Sequence, residues 1–260
     1  MLHKKIRAGV VPITFRNQFH LMLRRWQLFG PGKALRYYAN KAFGLGQRNH
    51  PMPPPVSINP AKIDNAAVDQ RFGIEASAPA PDAHGRESKK WGLLYERSSE
   101  TIFRHVMQKL PIDPENYVFV DLGAGKGFVL CLAAEYRFKK VVGVEYSSKL
   151  AGMAADNLRL YKTDSRQCAD ATCVLGDAAE FSFPRAPTVL YLYNPFQGGV
   201  MDRVIANLKE SLQDHPRDVW IFYANPWEHR KFKRSREFEV IELTWDYALY
   251  HHKNSRAVAA

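Results

Sequence analysis

The first 63 residues of this 260-residue chain contain no carboxylate; the first is Asp64. The same stretch carries eleven Lys or Arg side chains. The remainder holds 26 basic and 26 acidic residues, so the net charge of +11 belongs to the N-terminal arm. Cysteine is scarce. Cys131, Cys168 and Cys173 are odd in number and lack C-x-x-C spacing, which argues against a disulfide framework or a zinc knot and for free thiols in a reducing compartment. No apolar run reaches the ~18 residues of a spanning helix. The start has no apolar core or small-residue cleavage site of a secretory signal. Those absences lead to a cytoplasmic expectation, with the arm as the one part suited to peripheral attachment at a membrane.

Along the chain, three regions are expected. Residues 1–50 form a basic arm in which Phe15, Phe19, Met22, Leu23, Trp26 and Phe29 recur at helical spacing, with Arg16, Arg24 and Arg25 between them. That pattern is an amphipathic helix. Residues 51–90 begin with the proline-rich stretch Pro51–Pro60, a stiff linker, and continue as an irregular segment over 64–87. Residues 91–260 form the main domain. The arm has four readings: an anionic membrane surface, nucleic acid, a transit peptide, or docking on its own domain. Serine is absent before Ser57, against a transit peptide. Bulky apolar side chains need burial, which places docking and membrane ahead of nucleic acid.

From Ser98 onward, the pattern alternates. A helix is expected over 98–110, with Ser98 or Ser99 as its cap and Pro111 beyond its end. Short apolar, β-branched and aromatic runs predict strands at 117–122, 141–144, 172–175, 188–193 and 219–223. Helical stretches lie at 127–136, 150–161 and 200–212, and a final strand pair at 238–244 and 247–251. Such alternation predicts an α/β fold, a mostly parallel sheet covered on both faces by helices. Ligands of these sheets bind beyond the carboxyl ends of the strands.

Those strand ends carry the chemistry. The first reads Asp121-Leu-Gly-Ala-Gly-Lys-Gly127. Alternate glycines make a tight turn and let a ligand approach the backbone. The spacing is not the G-x-G-x-x-G of dinucleotide sites, because Phe128 stands at the third glycine position, and it is not a phosphate loop. Lys126 between the glycines has no phosphate to meet and is expected to be exposed. The second strand ends in Glu145, eighteen residues after Gly127, where a carboxylate can accept both ribose hydroxyl protons. The third ends in Gly176-Asp177-Ala178, where a carboxylate can accept from an adenine amine. Beyond the fifth strand, Trp227, Glu228 and His229 either border an acceptor pocket or simply begin a helix.

The three segments D-L-G-A-G-K-G, G-V-E and G-D-A resemble the first three cofactor motifs of class I S-adenosylmethionine methyltransferases. The resemblance covers the chain from about Trp91 to its end. It implies a Rossmann-like seven-stranded sheet with an antiparallel last strand, and S-adenosyl-L-methionine as the cofactor. Gly123, Gly125 and Gly127 would hold its methionine part, Asp121 its ammonium, Glu145 its ribose, and Asp177 with Ala178 its adenine. The fourth strand ends in Tyr193-Asn194-Pro195-Phe196, at the place of the transferred methyl. This segment resembles the N-P-P-[YF] motif of adenine amino-methyltransferases with one proline missing. It is closer to the N-N-F of histone-lysine methyltransferases of the disruptor-of-telomeric-silencing type. Tyr95-Glu-Arg-Ser98 resembles that family's Y-G-E-T segment, which closes over the cofactor. A related bacterial group shares the pattern, including an R-F-G segment like Arg71-Phe-Gly73.

The resemblance implies methyl transfer to an amine, with Asn194, Pro195 and Phe196 as the catalytic set, Asn194 also near the cofactor. A protein side chain is the favoured acceptor. A nucleic-acid base, a small metabolite, or a non-catalytic adenosyl-cofactor module are the alternatives.

Overall fold

The computed structural model describes residues 65–77 and 98–252, apart from 194, 195, 197 and 245. The arm, the proline-rich linker, Tyr95, Asn194 and Pro195 lie outside the described residues. Seven strands form one sheet: β1 (Val118–Leu122), β2 (Lys140–Glu145), β3 (Ala171–Leu175), β4 (Thr188–Tyr193), β5 (Val219–Ala224), β6 (Glu239–Leu243) and β7 (Tyr247–His252). Their order is β3-β2-β1-β4-β5-β7-β6. β1 to β5 run parallel, and β7 lies antiparallel between β5 and β6. The expected strands are all present, each within two residues of its predicted ends.

Six α-helices are described: α1 (Asn65–Phe72), α2 (Glu100–Lys109), α3 (Phe128–Ala133), α4 (Ser148–Leu160), α5 (Gly199–Asp214) and α6 (His229–Arg234). The central strands alternate strictly between faces, as period-2 geometry requires. Phe119, Val189, Tyr191, Trp220 and Phe222 point to one side and pack with α1, α2 and α3. Val118, Val120, Leu122, Leu190, Leu192, Ile221 and Tyr223 point to the other and pack with α5 and α6. Two hydrophobic cores therefore sandwich one sheet, and their packing fixes where the strand ends fall.

Phe103 shows how the first core positions the site. It is fully buried, with its ring 5.9 Å from Phe119, 6.0 Å from Tyr191 and 6.3 Å from Phe222. Removing such a ring costs about 3–5 kcal/mol. It pins α2 to the centre of the sheet. Ser99 caps that helix by accepting from the Ile102 N–H at 3.4 Å, and Ser98 just before it is buried next to the Tyr191 phenol of β4. Close approach matters too. A Cβ on Gly143 would lie 2.5 Å from Leu130 Cδ1 and 2.9 Å from Ala124 Cβ. Only glycine at mid-β2 lets α3 and the turn before it settle on the sheet.

Two expectations change. The stretch 64–87 is not uniformly irregular. It contains α1, and Phe72 at its end, with Ile74 and Ala76 after it, enters the first core. The folded unit therefore includes residues well before 91. Its polar sequence hides this, because the apolar side chains are few and are satisfied by tertiary contact. The helix expected over 127–136 is shorter, spanning Phe128–Ala133. The N–H groups of Glu135 and Tyr136 turn back to Leu132 and Ala133 and tighten its end.

Candidate cofactor and methyl-transfer site

The site is built at the carboxyl edge of β1 to β5. After β1 the backbone makes its turn with positive φ at Gly123, Gly125 and Gly127 (81°, 56° and 75°). Side chains with a Cβ avoid this region. A Cβ at Gly127 would also stand 2.8 Å from Ala154 Cβ on α4. The turn is tied to β2 as well, since Gly123 N and Ala124 N both donate to Val144 O, at 2.8 and 3.1 Å.

Glu145 ends β2 and is buried. Its Oε2 accepts from Gly125 N at 2.8 Å, and its Oε1 from Ser147 N at 2.9 Å. A carboxylate has about four acceptor positions, so each oxygen keeps one for a further donor. Ser147 also caps α4 by accepting from Leu150 N. One carboxylate thus joins the glycine turn to the start of α4 and still offers acceptors toward the strand ends.

Asp121 differs. It is 3% exposed, and among the described residues no donor hydrogen-bonds its carboxylate. Burial, and secondarily the charge of Glu145, hold it well above the ordinary carboxylate range. A buried carboxylate without a donor is costly, and a ligand ammonium would supply what it lacks. Its neighbours report the same environment. Burial raises the Cys173 thiol to about 12, with Asp121 and Glu145 adding to it. Burial also lifts the Tyr191 phenol, which faces both the Ser98 hydroxyl and Asp121. Asp121, Ser98 and Tyr191 therefore form one cluster beside the turn.

Asp177 follows β3. Its Oδ1 accepts from Ala179 N at 2.9 Å, capping a short 3-10 turn, and its Oδ2 lies 3.5 Å from an Arg203 nitrogen on α5. It is half-buried, and Ala178 beside it is buried. Two apolar side chains stand exposed near Glu145: Tyr146 (60%) and Leu175 (61%), the latter paired in register with Glu145. Sequence reasoning passed over both. An aromatic residue directly after an acidic strand end was the available signal.

Phe196 is buried in the second core. β4 pairs directly with β1, Leu192 opposite Leu122, so β4 ends beside the glycine turn. At the next strand end Asn225 has φ 49°. Its Oδ1 accepts from the Trp227 indole N–H at 3.1 Å. Glu228 precedes α6 without a side-chain capping bond, so Trp227 is held by Asn225 rather than by a helix cap.

Lys126 corrects an expectation. It is 1% exposed, not solvent-facing, and its Nζ lies 3.5 Å from Glu75 Oε1. The segment following α1 covers it. That segment lies some fifty residues upstream and gave no local sign of reaching the turn.

Residues 93–169 match the family described as Histone methylation protein DOT1. The matched span includes the glycine turn and Glu145. No curated protein matches the chain. Among solved structures, an RNA methyltransferase from Salinibacter ruber in complex with S-adenosyl-L-homocysteine is similar at 17% identity, covering 61% of this chain and 94% of that one, with a TM-score of 0.42. A putative RNA methyltransferase from Pyrococcus horikoshii is similar at 19% identity, over 59% and 83%, TM-score 0.42. A dimethyladenosine transferase from Plasmodium falciparum is similar at 12% identity, over 63% and 64%, TM-score 0.46. Likeness at this level says nothing of the acceptor. The strand order, the acidic strand ends around a glycine turn, and the family match over that segment agree. The chain is an S-adenosylmethionine-dependent methyltransferase of the class I fold that resembles the Histone methylation protein DOT1 family over residues 93–169.

Proposed function

We propose that the enzyme methylates an amine nitrogen, with a protein side chain as the favoured acceptor. One observation carries this reading. β4 lies against β1 in register, so β4 ends beside the turn assigned to the methionine half of the cofactor, and Asn194-Pro195-Phe196 are the next residues of the sequence. In this reading Gly123, Gly125 and Gly127 receive that half, Asp121 its ammonium, Glu145 the ribose, and Asp177 with Ala178 the adenine. Tyr146 and Leu175 give the adenine an apolar platform. Ser98 borders the methionine half, beside Tyr191 and Asp121.

S-adenosylmethionine supplies a methyl on a positively charged sulfur, and the leaving group is a neutral thioether. The protein's work is then positioning and exclusion of water. The acceptor must present a neutral nitrogen lone pair in line with the carbon–sulfur bond. Asn194 Oδ1 would accept one N–H of that amine and aim its lone pair. Phe196, buried at the foot of the segment, gives the pocket a rigid apolar base. Once methylated, the acceptor nitrogen would release its extra proton to solvent. An amine that arrives protonated is inert, which favours the desolvated mouth that these side chains make.

The test is transfer of labelled methyl from S-adenosylmethionine into cell extract, followed by separation of protein, nucleic acid and small molecules. Label in protein, lost in Asn194→Ala while cofactor binding persists, is the expected result. Label confined to nucleic acid or metabolites would overturn the favoured acceptor. Full transfer by Asn194→Ala would overturn the role of Asn194.

A further inference from the structure

The glycine turn is gripped on its outer side by α4. Asn157 of that helix is 3% exposed. Its Oδ1 accepts from Glu75 N at 2.9 Å, and its Nδ2 donates to Glu75 O at 3.1 Å and to Lys126 O at 2.8 Å. Both amide hydrogens are used, which is the full donor capacity of the side chain. Lys126 is the residue between Gly125 and Gly127. One helical turn earlier, Ala154 meets Gly127 so closely that a Cβ there would overlap it. Residues 154 and 157 share a helix face, and that face seats the turn.

Glu75 belongs to a strap, residues 73–77, that follows α1. Asp69 Oδ2 holds it by accepting from Ala76 N at 2.9 Å and Ser77 N at 2.7 Å. Lys162 N, just past α4, donates to Phe72 O at 2.9 Å. Ile74 and Ala76 are buried. The strap and the turn therefore meet twice: through the Asn157 amide, and through the Lys126 ammonium against Glu75.

We propose that Asn157 is a positioning residue that couples this upstream strap to the methionine-binding half of the cofactor site. The inference rests on the reading that the glycine turn binds the cofactor. The peptide plane between Lys126 and Gly127 is oriented by the bond to the Lys126 carbonyl. Without the Asn157 amide, that carbonyl becomes a buried acceptor lacking this donor, and Glu75 loses both its backbone partners. No other side chain of this volume supplies one acceptor and two donors in a plane. Asp offers acceptors only, and Leu offers nothing. Asn157 bonds neither Glu145 nor Asp177, the residues assigned to the adenosine half, so damage at Asn157 falls first on the methionine half.

The test uses the full chain carrying Asn157→Leu, Asp69→Ala, or both. Affinities for S-adenosylhomocysteine and for adenosine are measured by calorimetry and by competition. Asn157→Leu is expected to weaken S-adenosylhomocysteine about tenfold or more, from the loss of buried hydrogen bonds, and to leave adenosine within about threefold. Asp69→Ala, which releases the strap without touching α4 or the turn, is expected to weaken S-adenosylhomocysteine in the same selective way. The double variant should bind no worse than Asn157→Leu, because both changes break one connection. If Asn157→Leu unfolds, the selectivity of Asp69→Ala decides alone. Equal losses for both ligands, strictly additive effects, or unchanged affinity with a lowered melting temperature would each overturn the coupling. Failure of the unmodified protein to bind S-adenosylhomocysteine would instead overturn the assignment of the turn.

Discussion

Asp121→Asn separates what the site costs from what it does. The carboxylate is buried, no described donor bonds it, and Glu145 adds like charge. Asparagine keeps the shape and removes the charge. Unpaired buried charge is penalised by several kcal/mol, less whatever protonation relieves. The cofactor-free variant is therefore expected to gain on the order of 1–2 kcal/mol, within the usual range of stabilising single changes. For a domain of this size that raises the melting temperature by roughly 2–8 °C. Cofactor binding should move the other way. Losing a charge-assisted bond to the ligand ammonium costs about 1.5–3 kcal/mol, roughly ten- to a hundredfold in affinity. Scanning calorimetry with and without S-adenosylhomocysteine reads both terms. The variant should melt higher alone, and gain less from the ligand. A variant that melts at or below the parent without ligand, or binds it equally well, refutes the argument.

The same residue sets a pH dependence. Folding raises the proton affinity of Asp121, so the folded chain holds the extra proton between the ordinary carboxylate range and the raised value. Its contribution to stability is full below that window and is lost as pH rises through it. The cofactor ammonium favours the ionised carboxylate, so binding in this window releases a proton and strengthens as pH rises. Calorimetric titration in buffers of different ionisation enthalpy measures the released proton. Asp121→Asn should abolish the release, and a parent protein that releases none would contradict the ammonium assignment.

Glu145→Gln leaves one carbonyl oxygen where Gly125 N, Ser147 N and the ribose all need acceptors; S-adenosylhomocysteine affinity should fall at least about tenfold, and a smaller loss by calorimetry would argue against the ribose role. Gly127→Ala combines φ 75° with a Cβ 2.8 Å from Ala154 Cβ; left-handed strain alone costs about 1–2 kcal/mol, so urea unfolding should show a loss above that. Burial pushes the Cys131 and Cys173 thiols to about 12, so at pH 8 roughly one thiol in ten thousand is ionised. Iodoacetamide should modify them orders of magnitude more slowly in the folded protein than in urea, and rapid native labelling of the half-buried Cys173 would refute its raised thiol.

The cofactor half was legible because it is made by backbone. A run such as Phe119-Val-Asp-Leu is a buried strand whatever surrounds it, and the glycines after it need positive φ. The strict alternation of β1, β4 and β5 between two cores makes such runs unambiguous. What escaped was long-range. Lys126 read as a surface lysine because nothing near it suggests that residues 74–77 fold over it. Asn157 sits among ordinary helix residues, and its three bonds reach 31 and 82 positions away. No periodicity reports a side chain whose partners are that distant.

The same reasoning explains why the acceptor resists a reading from sequence. The residues assigned to the cofactor are strand ends and peptide groups, which any chain with this pattern provides. In the proposed reading the acceptor would meet side chains of the turns after β4 and β5, where identity is local and weakly patterned. The turn after β5 illustrates it. Asn225 adopts φ 49°, its N–H donates to Asp246 O at 2.7 Å, and its side chain holds the Trp227 indole. Asparagine tolerates this conformation better than most residues, so the strain is modest. What it gains is a tryptophan held just past the end of β5, whose Ala224 stands in register with Tyr193 at the end of β4. A rigid aromatic side chain at that place is where acceptor preference would be set. Changing Trp227 should therefore alter which acceptors are used without altering S-adenosylhomocysteine affinity. Unchanged acceptor distribution in labelled extract would put the selectivity elsewhere.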